Sequence, residues 1–328
     1  MPTIQIKIKD GELIKKEVKY HHPLKQAIIT TVSYFDIFSI PLKTEDIQKF
    51  LFRTSASEMD VLIILKRLQG EGLIQEKDNY WFLKGRQKII KIHQKRTVVS
   101  EKKLKRAKFY AKLLGFVPFV GSVSVCNSLS YHNAKKSSDI DLFIITKKNR
   151  LWISRTLSHI LFKILGIKRP RNVEKSPNKF CLSFFLSQDN LNLDRIYARP
   201  FDPYLSFWIA GLIPVFGFKS FKKFINKNIW YRQDLPGHFF SLKIKSEKGV
   251  VGYLRFILEK LLNLFGASQI DKWLYKWQAK RVLEEADSSE IGVGIIAKRE
   301  ILKTHAKDMR RKYREKLELR LKENLENI

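Results

Sequence analysis

The sequence is short of acid. Its 328 residues hold 32 Asp and Glu against 63 Lys and Arg, a formal net charge of +31. That imbalance predicts attraction to polyanions: nucleic acid, nucleotides or an acidic membrane surface. Cysteine is scarcer still. Cys126 and Cys181 both lie in apolar runs, and two cysteines so placed make neither a disulfide framework nor a zinc site. A reducing, cytoplasmic setting is therefore expected. Long apolar runs are missing as well. The longest, Tyr204–Phe218, has 15 residues and contains Pro214. A bilayer span needs ~20, so no membrane span is expected and the run reads as a buried helix. The N-terminal stretch MPTIQIKIKDGELIKKEVKY lacks the apolar core of a signal peptide. There is no Gly-x-Gly-x-x-Gly, P-loop or Gly-x-Ser-x-Gly, and the seven histidines show no pair at metal-ligand spacing. A hydrophobic content of 44% and an aromatic content of 12% supply a packed core and exclude disorder across the chain.

Four regions separate along the chain. Residues 1–20 alternate apolar and charged side chains and read as a hairpin or arm. Residues 21–94 read as three helices and a hairpin, the order of a winged helix. Leu24–Phe38 is apolar at helical spacing, Thr44 caps the segment TEDIQKFL, and Ser55 with Glu58 forms a capping box before Met59–Leu68. Two short strands then flank an Asp78-Asn79 turn. The third helix, MDVLIILKRLQ, has only Lys66 and Arg67 as basic residues, at its end. A base-reading helix needs polar groups near its start, so docking is favoured over DNA reading. Residues 95–115 form a basic helix opening the third region, 95–200. Residues 201–328 read as mostly helical, with helices over 202–216, 221–230, 251–265, 269–285 and from Gly294 onward.

The chemistry concentrates in FVPFVGSVSVCNSLSYHNAKKSSDIDLFIIT. Asp139 and Asp141 stand at i and i+2 on an apolar, β-branched strand, so both side chains share one face. Two carboxylates there repel unless a cation sits between them, and paired oxygens suit Mg²⁺ or Mn²⁺. Upstream, a strand over 121–126 leads into Asn127-Ser128, and ten residues separate Ser128 from Asp139.

This strand–turn–helix–Asp-x-Asp arrangement resembles the nucleotidyltransferase superfamily related to DNA polymerase beta. The likeness is closest over about 80 residues and extends loosely to the block SDIDLFIITKKNRLWISR, the strand FCLSFFLS and the tail THAKDMRRKY. It implies an α+β fold: a nucleotidyltransferase-type mixed sheet flanked by helices, with an N-terminal winged helix and a mostly helical C-terminal region. It implies transfer of a nucleoside monophosphate from a nucleoside triphosphate to a hydroxyl. Asp139 and Asp141 would be the catalytic metal ligands for Mg²⁺ or Mn²⁺. Asn127, Ser128 and Arg155 would contact the nucleotide, with nucleic acid a possible acceptor. Asn127 departs from the family's glycine, placing a side chain where backbone would approach phosphate. Many members add a third carboxylate from a later strand. The matching strand, Lys179–Ser187, has no acid. Its Cys181, Ser183 and Phe185 should face the site, with Ser183 in the acid's place; Asp189 and Asp194 follow the strand. That gap leaves a second reading, a catalytically degenerate protein that binds nucleotide or nucleic acid. His132 and the basic groups Lys147, Lys148, Arg150, Lys168, Arg169 and Arg171 surround the region.

Overall fold

A computed structural model describes residues 8–9, 12–13, 23–170, 173, 176–199, 202–242, 250–286, 288, 291–292, 294–304 and 308–325. Arg171 lies outside the described residues, as does most of the segment 1–20. Within that segment β1 (Ile8–Lys9) pairs antiparallel with β2 (Glu12–Leu13).

Helices α1 (Pro23–Asp36), α2 (Thr44–Lys49) and α3 (Glu58–Gly70) precede the hairpin β3 (Ile74–Lys77) and β4 (Tyr80–Leu83). Asp78 and Asn79 both take positive φ, 54° and 62°, and Lys77 pairs with Tyr80 across a two-residue turn. The capping details differ from the sequence reading. Ser57, two residues later than Ser55, accepts the Asp60 amide at 3.1 Å and starts α3. The Thr44 hydroxyl instead accepts the Trp81 indole N–H at 3.1 Å. The basic helix also starts earlier. α4 runs unbroken over Lys88–Leu113, because nothing between Lys88 and Lys95 breaks it.

A six-stranded mixed sheet follows. Its strands are β5 (Val120–Val125), β6 (Ile140–Thr146), β7 (Phe180–Ser187), β8 (Ile213–Phe216), β9 (Ile295–Ala297) and β10 (Ile301–Thr304). Their order is β8-β5-β6-β7-β10-β9, with β6 and β7 parallel and the other pairs antiparallel. The helices among these strands are α5 (Asn127–Ser130), α6 (Leu151–Ile164), α7 (Pro203–Ala210), α8 (Phe218–Lys227), α9 (Val250–Leu264), α10 (Ala267–Glu284) and α11 (Arg310–Leu325).

Two expectations for 201–328 are corrected. Tyr204–Phe218 is a helix only to Ala210; the chain then turns into β8. Pro214 has no N–H to give a ladder, and β8 is an edge strand, where that is tolerated. Gly217, between β8 and the helix that starts at Phe218, takes φ 74°, where a Cβ would lie 2.0 Å from the Gly121 carbonyl oxygen. The stretch after Gly294 likewise begins as the hairpin β9–β10 and becomes helical only at Arg310.

Each face of the sheet carries a core. On one, Phe143, Ile145, Phe184 and Leu186 pack with α1–α3, α7, α8 and α11, and Tyr34 stacks on Phe207 at 3.9 Å. On the other, Leu142, Ile144, Phe180 and Phe185 pack with α4, α6 and α10. Asp271 of α10 is fully buried and starts α6, accepting the Trp152 and Ile153 amides at 2.8 and 2.9 Å. Among the described residues no helix is long and apolar enough to cross a membrane.

Candidate functional site

The parallel register of β6 and β7 sets Asp141 opposite Cys181, with Asp139 just ahead of β6. Asp139, Asp141 and Cys181 each offer a ligand atom within 4.8 Å of the others, and all three are partly buried. The third group is therefore a thiol. Ser183, expected in that place, is buried one strand position pair further on and donates its hydroxyl to the Cys181 sulfur. A register shift between Asp141 and Phe143 explains the difference. Beyond it Phe184 and Leu186 share the face of Phe143 and Ile145, while Phe185 joins the opposite core. The strict alternation that put Cys181, Ser183 and Phe185 on one face is broken by this bulge.

β5 ends at Val125 and Asn127 opens α5 at φ 59°, in the left-handed region. Its side chain has a task that glycine could not perform. The Asn127 amide donates to Asp141, and its Oδ1 accepts the Trp208 indole N–H at 3.0 Å. Ser128 is exposed and borders a cavity of ≈ 270 Å³ walled by Tyr34, Phe38, Tyr131, Tyr204 and Tyr313.

Arg169 donates to Asp139 at 2.7 Å and to the Val173 carbonyl at 3.2 Å. Lys103 of α4, 4% exposed, donates to the Lys136 and Ser138 carbonyls just ahead of Asp139. Neither was singled out as a neighbour of the aspartates from sequence. Arg169 looked like one cation in a basic loop, and Lys103 like one of many on a basic helix.

The electrostatics follow from burial and sign. Burial raises the Asp139 pKa, repulsion from Asp141 adds to it, and Arg169 only partly offsets both. Burial raises Asp141 as well, against the hydrogen bonds from Asn127 and Cys181. The Cys181 thiol is pushed up to about 12, by burial first and then by Asp141. The cluster thus carries an excess of negative charge whenever both aspartates are ionised.

Other residues flagged by the sequence lie elsewhere. Arg155 donates to Gln278 of α10 and sits over Trp152, so its side of α6 faces a neighbouring helix. Asp189 accepts from Ser187 at 2.8 Å and from the Asn149 amide at 2.6 Å. It follows the far end of β7, on the order of 20 Å from Cys181 at a strand's rise per residue. Asp194 pairs with Arg199, and Lys147 with Glu259. Arg150 bonds Ser268 and Asn263. His132 is exposed and neighbours His93.

A second group of charges stands on the same side of the sheet. Arg310 bridges Asp308 at 2.6 Å and Asp202 at 3.2 Å, and Lys303 reaches Asp308 at 3.2 Å. Lys303, Asp308 and Arg310 line a smaller cavity that shares Asn127, Tyr204, Trp208 and Tyr313 with the first.

Comparison with protein-family models, with curated proteins and with solved structures found no match to this chain.

Proposed function

We propose that the chain is a metal-dependent nucleotidyltransferase-like protein, moving a nucleoside monophosphate from a nucleoside triphosphate to an acceptor hydroxyl. The observation that carries this reading is the convergence of Asp139, Asp141 and Cys181 within 4.8 Å, beside the Asn127-Ser128 turn. The donor set suits a divalent cation in its two carboxylates, whose pKa values burial raises, with repulsion from Asp141 adding to the rise at Asp139. The thiol is softer than the carboxylate found in many members of the superfamily, which favours Mn²⁺ over Mg²⁺. A cation held by Asp139 and Asp141 would supply Lewis-acid stabilisation of charge on the transferred phosphoryl group. The chain's own residues orient and shield. Asn127 fixes the Asp141 carboxylate while anchored to Trp208. Arg169 exchanges its hold on Asp139 for phosphate oxygens. Ser128 offers a hydroxyl at the mouth of the aromatic cavity, whose flat walls suit a nucleobase.

In this reading residues 120–187 form the nucleotidyltransferase-type module and residues 23–83 a winged helix. Support for the latter is the helix order, the two-residue turn and the isolated antiparallel bridge from Leu42 to Trp81 of the hairpin. The outer face of α3 shows Met59 and Ile63, and Lys66 and Arg67 pair with Glu76 and Glu71. Such a face suits docking to protein better than reading bases.

A second reading, binding without catalysis, is favoured by two observations: Arg169 already neutralises Asp139, and no carboxylate stands at the Cys181 position. Loss of a general base costs about 10²–10⁴-fold in rate. Labelled nucleoside triphosphates with Mn²⁺ or Mg²⁺, offered with RNA, protein and small-molecule hydroxyl acceptors, separate the two. Label transfer abolished by Asp139→Asn and Asp141→Asn supports catalysis. Nucleotide binding that needs both aspartates, with no transfer to any acceptor, supports the second reading. Nucleotide binding indifferent to both substitutions removes both.

A further inference from the structure

Helix α9 is amphipathic in the reverse sense. Its inward side is charged. Arg255 donates to the Gly115 and Val120 carbonyls, and Glu259, 6% exposed, accepts the Phe119 amide at 2.8 Å and pairs with Lys147. Its outward side is apolar: Tyr253, Phe256, Leu258, Leu261, Leu264 and, just past the helix, Phe265 are exposed, with Leu264 at 81% and Phe265 at 73%. A folded chain rarely leaves so many neighbouring apolar side chains in water without a partner for them.

We infer that this face rests on an anionic lipid bilayer, with α9 lying in the plane of the interface. Three observations choose this occupant. The first is charge. Along α9 and α10 the acids are Glu259 and Asp271, both buried, and Glu284, exposed and paired with Lys280 at 3.8 Å, while Lys260, Lys272 and Lys276 are exposed. A second copy of this chain would set these lysines against one another, whereas anionic headgroups complement them. The second is the pair Trp273 and Trp277 on α10, which stack at 6.1 Å while exposed at 64% and 54%. Indole rings beside lysines are suited to the headgroup boundary. The third is length. Fifteen residues of helix make about 22 Å, too short to cross a hydrocarbon core of ~30 Å but suited to lying along its surface. This inference is independent of any activity at Asp139 and Asp141.

The test is co-sedimentation of the full chain with phosphatidylcholine vesicles and with mixed phosphatidylcholine–phosphatidylglycerol vesicles. Binding is expected to the mixed vesicles and not to phosphatidylcholine alone. The triple variant Leu261→Gln/Leu264→Gln/Phe265→Gln should partition at least about tenfold more weakly, with an unchanged melting temperature, because these side chains meet water in the free protein. Tyr253→Ser/Phe256→Ser, two turns earlier, should give the same loss should the triple variant fold poorly. Lys272→Glu/Lys276→Glu should also weaken binding by about tenfold or more. No binding to mixed vesicles at low salt overturns the inference, as does binding indifferent to both apolar variants. A dimer in gel filtration that the triple variant converts to monomer overturns it in favour of a second copy. Retention of an acidic protein by wild type, with mixed vesicles ignored, overturns it in favour of a protein partner.

Discussion

Two groups of carboxylates stand near Tyr204, and they are solved differently. In one, Asp202 and Asp308 meet Arg310 and Lys303, two acids with two bases. Hydrogen bonds from Arg310, with Lys303 beside it, hold the Asp308 carboxyl down to about 2 despite its burial, while burial raises Asp202 against its own bonds from Arg310. In the other, Asp139 and Asp141 share one guanidinium, Lys103 gives its hydrogen bonds to carbonyls, and both carboxyl pKa values rise. The balanced quartet ties the start of α11 to α7 and to β10. The unbalanced pair adds nothing of that kind and sets two buried acids against one guanidinium. Buried acids in equal numbers thus mark glue in one place and a candidate site in the other, and the count of bases tells them apart.

The largest effect should come from unbalancing the quartet. Arg310→Ala leaves Asp202 and Asp308 buried without their shared cation, which should cost about 3–5 kcal/mol, read as a lower urea midpoint at unchanged slope. The quartet should also respond to acid. Asp308 is depressed when folded, so its contribution is present above its unfolded value of 3.8 and fades as pH falls toward about 2.

The pair should respond with the opposite sign. Mn²⁺ at 100 times its dissociation constant should stabilise wild type by about 2.7 kcal/mol, and should leave Asp139→Asn/Asp141→Asn unmoved. A smaller effect tests the excess charge without metal. The folded pKa of Asp141 is raised, so the folded state holds its proton more tightly and stability falls as pH rises through the unfolded and then the folded value. Asp141→Asn should therefore raise the metal-free melting temperature at pH 7 by about 2–4 °C and flatten that decline. A lowered melting temperature would mean that the hydrogen bonds from Asn127 and Cys181 outweigh the burial of charge.

How much of this was legible depended on signal length. β5, β6 and β7 are largely apolar runs of six to eight residues, β-branched in β5 and β6 and Phe-rich in β7, and Asp139 with Asp141 follow from a period of two. β8, β9 and β10 have three or four residues, below what any periodicity resolves, and β8 lay inside the apolar run Tyr204–Phe218 that read as one helix. Cys181 was expected on the site's side of β7, but the acid's place was given to Ser183, because an acid-free strand offers no chemical clue to which position meets Asp141. The bond from Arg155 to Gln278 was not foreseen, because helical spacing places a residue on a face without saying what that face meets. The same ambiguity hid the orientation of α9, expected as a helix over 251–265, whose apolar spacing is identical whichever way the helix turns.

The smallest expected effect separates Cys181 from Ser183. Cys181→Asp puts a third carboxylate among the ligand atoms of Asp139 and Asp141. Without metal, three carboxylates crowd one partly buried face, so the melting temperature should fall. With Mg²⁺ it should recover, and Mg²⁺ should gain on Mn²⁺ because a hard oxygen replaces a soft sulfur. Ser183→Asp adds the same charge one step further along β7, beyond the first ligand positions, where the neutral hydroxyl now meets the Cys181 thiol. Its metal-free loss should be similar, since burial there is 6% exposed, but Mg²⁺ should restore less of it. Paired melting curves with and without Mg²⁺ read this difference directly. Equal rescue of both variants would mean that the cation site spans the bulge and that Ser183, not only Cys181, borders it. Rescue of Ser183→Asp alone would move the third position to Ser183 and leave the thiol of Cys181 as a donor to Asp141 and nothing more.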